Sequence, residues 1–314
     1  MTGPILVFGG AHIDRRGRVD GTTVMGASNP GRWFEEPGGG GFNAARTLSR
    51  LGHSVRLIAP RGGDAAGDAV SLAAEAAGID DRPVIFLDRA TPSYTAVLDA
   101  SGDLVVAIAD MDLYRLFTPR RFRVRAVRQS LDEASMVLCD ANYSAETLMA
   151  LAEATTARKL PLAAIAISPA KVERLRPALD RLWFLFMNAA EAEALAGSRA
   201  QTVEDWPGLL RKTGLQAGVV TSGGRAAIAF QGDHVVRLVP PPIEGVEDVT
   251  GAGDAMAAGM LSAFRQGLTL AEALRMGTAS AALTIQSNNA TAENMTADLL
   301  KTTMALVPQP EILS

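Results

Sequence analysis

Residues 248–256 read Asp-Val-Thr-Gly-Ala-Gly-Asp-Ala-Met (DVTGAGDAM), and the small-residue run AMAAGMLSAF continues from Ala255. The pattern is a glycine turn opening a buried helix at about Ala252. The first N–H groups of a helix lack intrahelical acceptors, and the helix dipole adds partial positive charge there. Gly251 and Gly253 allow the backbone to approach a ligand closely, so Gly251, Ala252 and Gly253 are expected to form an anion hole. Asp254 stands at the mouth of that turn, where the same field should stabilise its anion. Its expected task is to orient a hydroxyl and accept its proton, a role that depends on position more than on base strength. A bare Gly-x-Gly-Asp would read as helix capping alone. Asp248 and Thr250, just ahead, add ligand-type oxygens and shift the reading toward a site.

Working outward, the chain of 314 residues has room for one large α/β domain or two smaller ones. A hydrophobic content of 48% and a charged content of 20% suit a soluble chain with a sizeable core. The net charge of −4 argues against nucleic acid as a partner, because binding a phosphate backbone needs a basic surface. The local basic run RRFRVRAVR (120–128) reads as the solvated face of one helix. A single cysteine, Cys139, excludes intrachain disulfides and suits a reducing compartment. With no signal-like opening and no apolar run long enough to span a bilayer, no membrane partner is expected and the location expected is cytoplasmic. Three scattered histidines, His12, His53 and His234, give no metal cluster and no histidine-based relay for nucleophilic catalysis.

The organisation is β-α-β. Strand-like runs are ILVFGG (5–10), VRLIAP (55–60), SMVLCD (135–140), LPLAAIAI (160–167), LWFLFM (182–187) and AGVVTS (217–222). Helical patterns at 41–52, 67–79 and 144–157 lie between them, a hairpin is expected at 223–239, and three helices should begin near Ala252, Thr269 and Ala292. Such alternation implies a mostly parallel sheet covered by helices on both faces. Two segments break the rhythm, the polar Gly-rich 14–36 and the hairpin-like 90–112. They are expected to meet as one small sheet that acts as a lid on a single domain covering 1–314. Neither a Walker A loop nor a Gly-x-Gly-x-x-Gly after the first strand is present.

Two separated signatures then resemble one family. PGGGGFNAA (37–45) matches the Gly-Gly-x-x-x-Asn pattern, and DVTGAGDA the Asp-Thr-x-Gly-Ala-Gly-Asp pattern, of the ribokinase-like (PfkB) carbohydrate and nucleoside kinases, with Val249 where threonine is commoner. The resemblance implies a three-layer α/β/α sandwich with a small β-sheet lid, and phosphoryl transfer from ATP with Mg²⁺. That reaction has a loose transition state, which suits a positioning carboxylate and an anion hole. It further implies that Asp254 is the catalytic base, that Asp14, Gly39, Gly40 and Asn43 bind the acceptor, and that Asn188 and Glu191 (NAAE, 188–191) serve the nucleotide phosphates and, indirectly, Mg²⁺. Thr221 and Gly223 would line ATP, and Asp248 with Thr250 would hold a monovalent cation such as K⁺. Pairing of lids into a homodimer is implied as well. Simpler roles stand beside these. Asn188 and Glu191 form a capping box at a helix start, Asp14 could end a strand, Asn43 could be a plain helix N-terminal residue, and Thr221 and Gly223 could shape a hairpin turn.

Within the family, the finer pattern of ASNPG (27–31), TPSYTAVLDASGDLVVAIADMD (91–112) and CDAN (139–142) resembles the members acting on pseudouridine. Asn29, Tyr94, Asp110 and Asn142 would then offer donors and acceptors to a polar base, since such groups reject analogues that leave them unpaired. Tyr94 could equally be a packed lid aromatic and Asn29 a turn residue. Ribose, adenosine and a hexose phosphate remain rival substrates, the last served by Arg15, Arg16, Arg18 and Arg32. A non-catalytic binding protein on the same fold is the rival of another class.

Overall fold

A computed structural model describes residues 3–243, 249–287 and 289–313. Among them, ten strands form one sheet in the order Glu311–Ile312, His234–Leu238, Arg225–Gln231, Ala217–Ser222, Phe184–Asn188, Leu162–Ile165, Met136–Asp140, Ile5–Phe8, Val55–Ile58 and Asp80–Asp81. Pairing is parallel from Asp80–Asp81 through Ala217–Ser222 and antiparallel beyond.

Side chains alternate across a strand, and here both faces are apolar. Ile5, Val7, Leu57, Leu138, Phe184 and Phe186 pack with Phe42, Leu48, Met260, Leu261 and Leu274 from the helices Gly40–Arg50, Ala252–Arg265 and Leu270–Ile285. Leu6, Phe8, Val137, Leu185 and Met187 pack on the other face with Leu148 and Leu151 of the helix Ala145–Thr156. Strands buried on both faces read as continuous apolar runs, which is why ILVF and VRLI are legible without alternation. Cys139 lies in the second cluster, and burial pushes its thiol up, away from the reactive thiolate.

A second sheet orders Gly31–Gly38, His12–Val19, Ser93–Leu98 and Leu104–Asp110. It is built from the two segments that broke the rhythm of the sequence. The chain runs from Ile5–Phe8 through Gly9, Gly10 and Ala11 into His12–Val19, so one continuous stretch links the two sheets. The outer edge of the small sheet exposes Leu104, Val106 and Ile108, with Trp33 and Phe34 exposed on the opposite edge strand.

Two local expectations differ from the structure. RRFRVRAVR is not one helix: a 3₁₀ turn spans Pro119–Arg123, and Val124 in extended conformation separates it from the helix Arg125–Glu133. The last helix begins at Ala297 rather than near Ala292, because Thr296 caps it by accepting from the Leu299 amide and Ala292 and Met295 instead fill the core. No helix among the described residues is long and apolar enough to cross a membrane.

Ile5–Phe8 lies between Met136–Asp140 and Val55–Ile58. Strand order runs outward in both directions from it, and open parallel sheets bind ligands at the C-terminal ends of strands beside such a switch point.

Candidate active site

The switch point opens into a cavity of about 690 Å³ beneath the small sheet. Asp140 is fully buried at the end of its strand. Its Oδ2 accepts from the amides of Gly10 at 2.5 Å and Gly41 at 3.0 Å, and its Oδ1 from the amide of Asn142 at 3.0 Å. One carboxylate thus ties together the end of the first strand, the start of the helix Gly40–Arg50 and the loop carrying Asn142.

Gly251 is the N-cap of the helix Ala252–Arg265, with φ of 77° and no side chain capping the terminus. That conformation disfavours other residues, and a Cβ there would also run into the Ala290 carbonyl. Gly251, Gly253 and Asp254 line the cavity. Ala252 does not, and its amide is directed to the Val249 carbonyl at 3.3 Å. The edge of the turn that faces the cavity is therefore carried by Gly251 and Gly253.

Asp254 Oδ2 accepts from Asn43 Nδ2 at 3.0 Å, and Asn43 Oδ1 in turn accepts from Arg46 Nη2 at 2.6 Å. Arg46 thereby fixes which way the Asn43 amide points. Burial pushes the Asp254 carboxyl up to about 7, the nearby Asp140, Asp14 and Glu191 adding to the rise and the Asn43 hydrogen bond opposing it. The surface of Asp254 is only half-buried, because its carboxyl meets the cavity while protein surrounds it on the other sides. This is opposite in direction to the anion stabilisation expected from the helix terminus. Desolvation is the largest cause of the rise, and a carboxyl near 7 is well matched to proton transfer at neutral pH.

Asp14 and Tyr94 are lateral neighbours on the paired strands His12–Val19 and Ser93–Leu98, and both line the cavity. Gly39, Gly40, Asn43 and Asn142 line it too. At the far end stand Asn188, Glu191 and Thr221. Asn188 and Glu191 do form a capping box: the Glu191 amide donates to Asn188 Oδ1 at 3.0 Å and the Asn188 amide to Glu191 Oε2 at 2.8 Å. Burial raises the Glu191 carboxyl, the Asn188 bonds opposing it. Capping and a place in the cavity coexist at this pair.

The structure does not bring every candidate here. Asn29 directs its amide into its own loop, with Oδ1 accepting from the Val24 amide at 2.8 Å and Nδ2 donating to the carbonyls of Val24 at 2.9 Å and Ala27 at 3.0 Å. Asp110 is exposed at the end of its strand, with Ala109 and Met111 on the cavity wall instead. Gly223 sits in the hairpin turn with φ of 60°, outside the lining. Asp248 lies outside the described residues, while Thr250 is at the cavity edge. The arginines offered for a phosphorylated sugar are engaged elsewhere: Arg15 with Glu35 at 2.8 Å, Arg16 with Glu36, and Arg18 with the Ala100 carbonyl at 2.6 Å; neither these nor Arg32 is among the described residues lining the cavity.

Three residues join the site without having been singled out. Lys171 donates from Nζ to Asn142 Oδ1 at 2.7 Å, and burial lowers its ammonium. His12 lines the cavity next to Asp14. Asp140, outside the lining, accepts from the amide of Asn142, which does line the cavity. Lys171 sits in the short helix Pro169–Val172, opened by Pro169, but nothing local in the sequence shows that this element faces the cleft.

A carboxyl near neutrality, an uncapped helix N-terminus and a row of hydroxyl-binding groups in one cavity can activate an alcohol and hold an anionic electrophile. The chain belongs to the pfkB family of carbohydrate kinases, whose model matches residues 4–297. It is similar over 100% of both chains to a solved carbohydrate kinase from Agrobacterium tumefaciens, at 56% identity and a TM-score of 0.91. It is 29% identical over 291 residues to the pseudouridine kinase of Escherichia coli (strain K12), covering 91% of this chain and 92% of that one. It is also 29% identical over 293 residues to the guanosine-inosine kinase of Exiguobacterium acetylicum, covering 90% of this chain and 94% of that one. The ribokinase-like sandwich and its small sheet are thus the fold of this chain.

Proposed function

We propose that the protein transfers the γ-phosphoryl group of ATP to the 5′-hydroxyl of pseudouridine. The observation that carries this reading is the position of Asp254: its carboxyl is held by Asn43 at the open helix terminus, in the same cavity as Asp14. Asp14 and Asn43 grip the ribose, and Gly39 and Gly40 leave room for it. Asp254 orients the 5′-hydroxyl and takes its proton as the bond to phosphorus forms, while the Gly251–Gly253 turn receives charge on the transferring group.

The donor's side of the cavity fits a nucleotide. Asn188, Glu191 and Thr221 offer polar groups, and at Gly223 and Gly224 nothing stands within 4 Å of where a Cβ would lie, leaving space beside the hairpin. Among the described residues no group of three or more His, Cys, Asp or Glu is arranged to hold a metal ion. Glu191, on the cavity wall, would lie near a cation carried mainly by the nucleotide phosphates. When bound, Mg²⁺ supplies charge neutralisation at the β- and γ-phosphates. Thr250 would contribute to a site for a monovalent cation such as K⁺.

Among the cavity-lining candidates, Tyr94 and Asn142 are best placed to meet a polar base. Closure of the small sheet over the cavity would exclude water and protect ATP from hydrolysis. Its exposed Leu104, Val106 and Ile108 support pairing of two copies through this sheet.

A panel of pseudouridine, uridine, guanosine, inosine, ribose and fructose 6-phosphate, read as ADP release with ATP and Mg²⁺, tests the reading. The highest kcat/KM is expected for pseudouridine. A purine nucleoside turned over best would move the assignment to the second nucleoside kinase activity represented among the relatives, and turnover of none would favour a binding protein.

A further inference from the structure

His12 is buried, and both of its ring nitrogens have neighbours. Nδ1 lies 3.0 Å from the Tyr114 hydroxyl, and Nε2 lies 3.3 Å from Asp14 Oδ1. The Tyr114 hydroxyl also accepts from the Ala11 amide at 2.9 Å. Tyr114 is fully buried, and burial, with Asp140 adding to it, keeps its phenol protonated. A backbone N–H can only donate, so the Ala11 amide takes one lone pair of the hydroxyl and leaves its proton free. Among the described residues the acceptor facing that proton is His12 Nδ1. A neutral imidazole that accepts at one nitrogen must donate from the other, so the remaining proton is carried by Nε2, the nitrogen 3.3 Å from Asp14 Oδ1.

We propose that His12 is a positioning residue, held by Tyr114 with its proton on Nε2, and that it fixes the acceptor-binding carboxylate of Asp14. The direction of the relay is set by the Ala11 amide: Ala11 N–H to Tyr114, Tyr114 O–H to His12 Nδ1, His12 Nε2–H to Asp14. Gly38 completes the support. It pairs with His12 across the neighbouring strand, and a Cβ on it would occupy the place of Asp14 Oδ2. The carboxylate is thus bounded by a donor on one side and by bare backbone on another, which leaves its outer lone pairs for a substrate hydroxyl. This inference rests on the reading of Asp14 as a substrate ligand, but its first test needs no substrate.

That test is ¹⁵N-detected NMR of the whole protein at about pH 8, where an ordinary imidazole is neutral. The chain has only three histidines, and the His12 signals are assigned by their loss in His12→Asn. A proton on Nε2 with a bare Nδ1 is expected. A proton on Nδ1, or on both nitrogens, would overturn the relay whatever the enzyme phosphorylates. The second test is kinetic. Tyr114→Phe should let the tautomer mix and raise the acceptor KM roughly three- to tenfold, the scale of one hydrogen bond, with kcat within about twofold. Gly38→Ala should raise the same KM by displacing Asp14 while leaving the Ala11–Tyr114–His12 links in place. Unchanged KM in both would overturn the positioning role even with the Nε2 tautomer observed. If Tyr114→Phe fails to fold, the wild-type spectrum and Gly38→Ala still decide. A chain with no kinase activity but an Nε2 tautomer would instead count against the substrate reading.

Discussion

Asn43 donates its side-chain amide to Asp254 at 3.0 Å across 211 positions of sequence, joining the two glycine-rich signatures in a single hydrogen bond. Because Arg46 occupies the other end of the same amide at 2.6 Å, Asn43 can present only its NH₂ to the carboxyl. One Asp254 oxygen is thereby committed, and the other faces the cavity beside Gly40, where a Cβ would lie 3.1 Å away.

The first expectation concerns the base. Asp254→Asn should lower kcat by about 10²–10⁴-fold, the usual worth of a positioned general base, while ATP affinity changes by less than a few-fold. Steady-state ADP release and equilibrium titration with a fluorescent nucleotide measure the two. Turnover within tenfold of wild type would remove Asp254 from the proton transfer.

Acid-base linkage gives the second. The folded Asp254 carboxyl titrates at about 7, above its ordinary 3.8. Between those values the folded state keeps a proton that the unfolded chain has released. This group therefore costs no stability below about pH 4, and it costs progressively more as pH rises to about 7, after which the cost is constant. Replacement by Asn removes the titration. Relative to wild type, the variant should gain roughly 1–4 kcal/mol between pH 4 and pH 7.5, read from urea denaturation at each pH. Catalysis follows the opposite sense, with kcat/KM climbing about tenfold per pH unit below 7 and levelling above it. A flat rate profile from pH 5 to 8 would contradict the assignment.

Arg46 provides a third. Burial lowers its guanidinium to about 10, yet it remains charged at neutral pH, and Nε has no hydrogen-bond partner among the described residues. Arg46→Met should free the Asn43 amide to turn and remove a nearby positive charge, so the inflection in kcat/KM should move to higher pH. Arg46→Lys should restore much of the charge but little of the amide orientation. An unmoved profile in both variants would show that Arg46 serves only to stack its guanidinium over the Phe42 ring, 4.7 Å from the centroid.

At the nucleotide end, capping and binding can be separated. Asn188→Ala should cost about 1 kcal/mol through the lost cap and raise the KM for ATP several-fold. Asn188→Ser retains a capping oxygen on a shorter side chain. It should recover most of the melting temperature without recovering the KM; recovery of both would make Asn188 a capping residue only.

The exposed strand of the small sheet supplies the last. Ile108→Lys together with Val106→Lys should hold the protein as a monomer in sedimentation velocity if two copies pair through this face. The same mass for variant and wild type would mean that the face is not the contact.

The large sheet was legible because its strands are apolar on both faces and its helices carry their own stop and start signals. The two glycine-rich motifs were legible because each is local. What escaped reading depends on crossings between distant segments. Lys171 reaches the cavity only because the strand before it ends beside Asp140, and His12 matters only because Tyr114, 102 positions away, lies against its ring. Asn29 illustrates the converse: an amide in a Ser-Asn-Pro-Gly turn has backbone partners at hand, and here it uses them. RRFRVRAVR also looked continuous because charge periodicity does not register a single extended residue such as Val124.

The split origin of the cavity wall has a consequence for altering the protein. Asp14 and Tyr94 are carried by the small sheet, whereas Asp254 and the glycine turn are carried by a helix anchored in the large layer. On the proposed roles, grafting the strands of another member's small sheet onto this scaffold would replace the part of the acceptor wall that carries Asp14 and Tyr94 and leave Asp254 and the glycine turn in register, with the Asp140 clasp marking where the seam must not be cut.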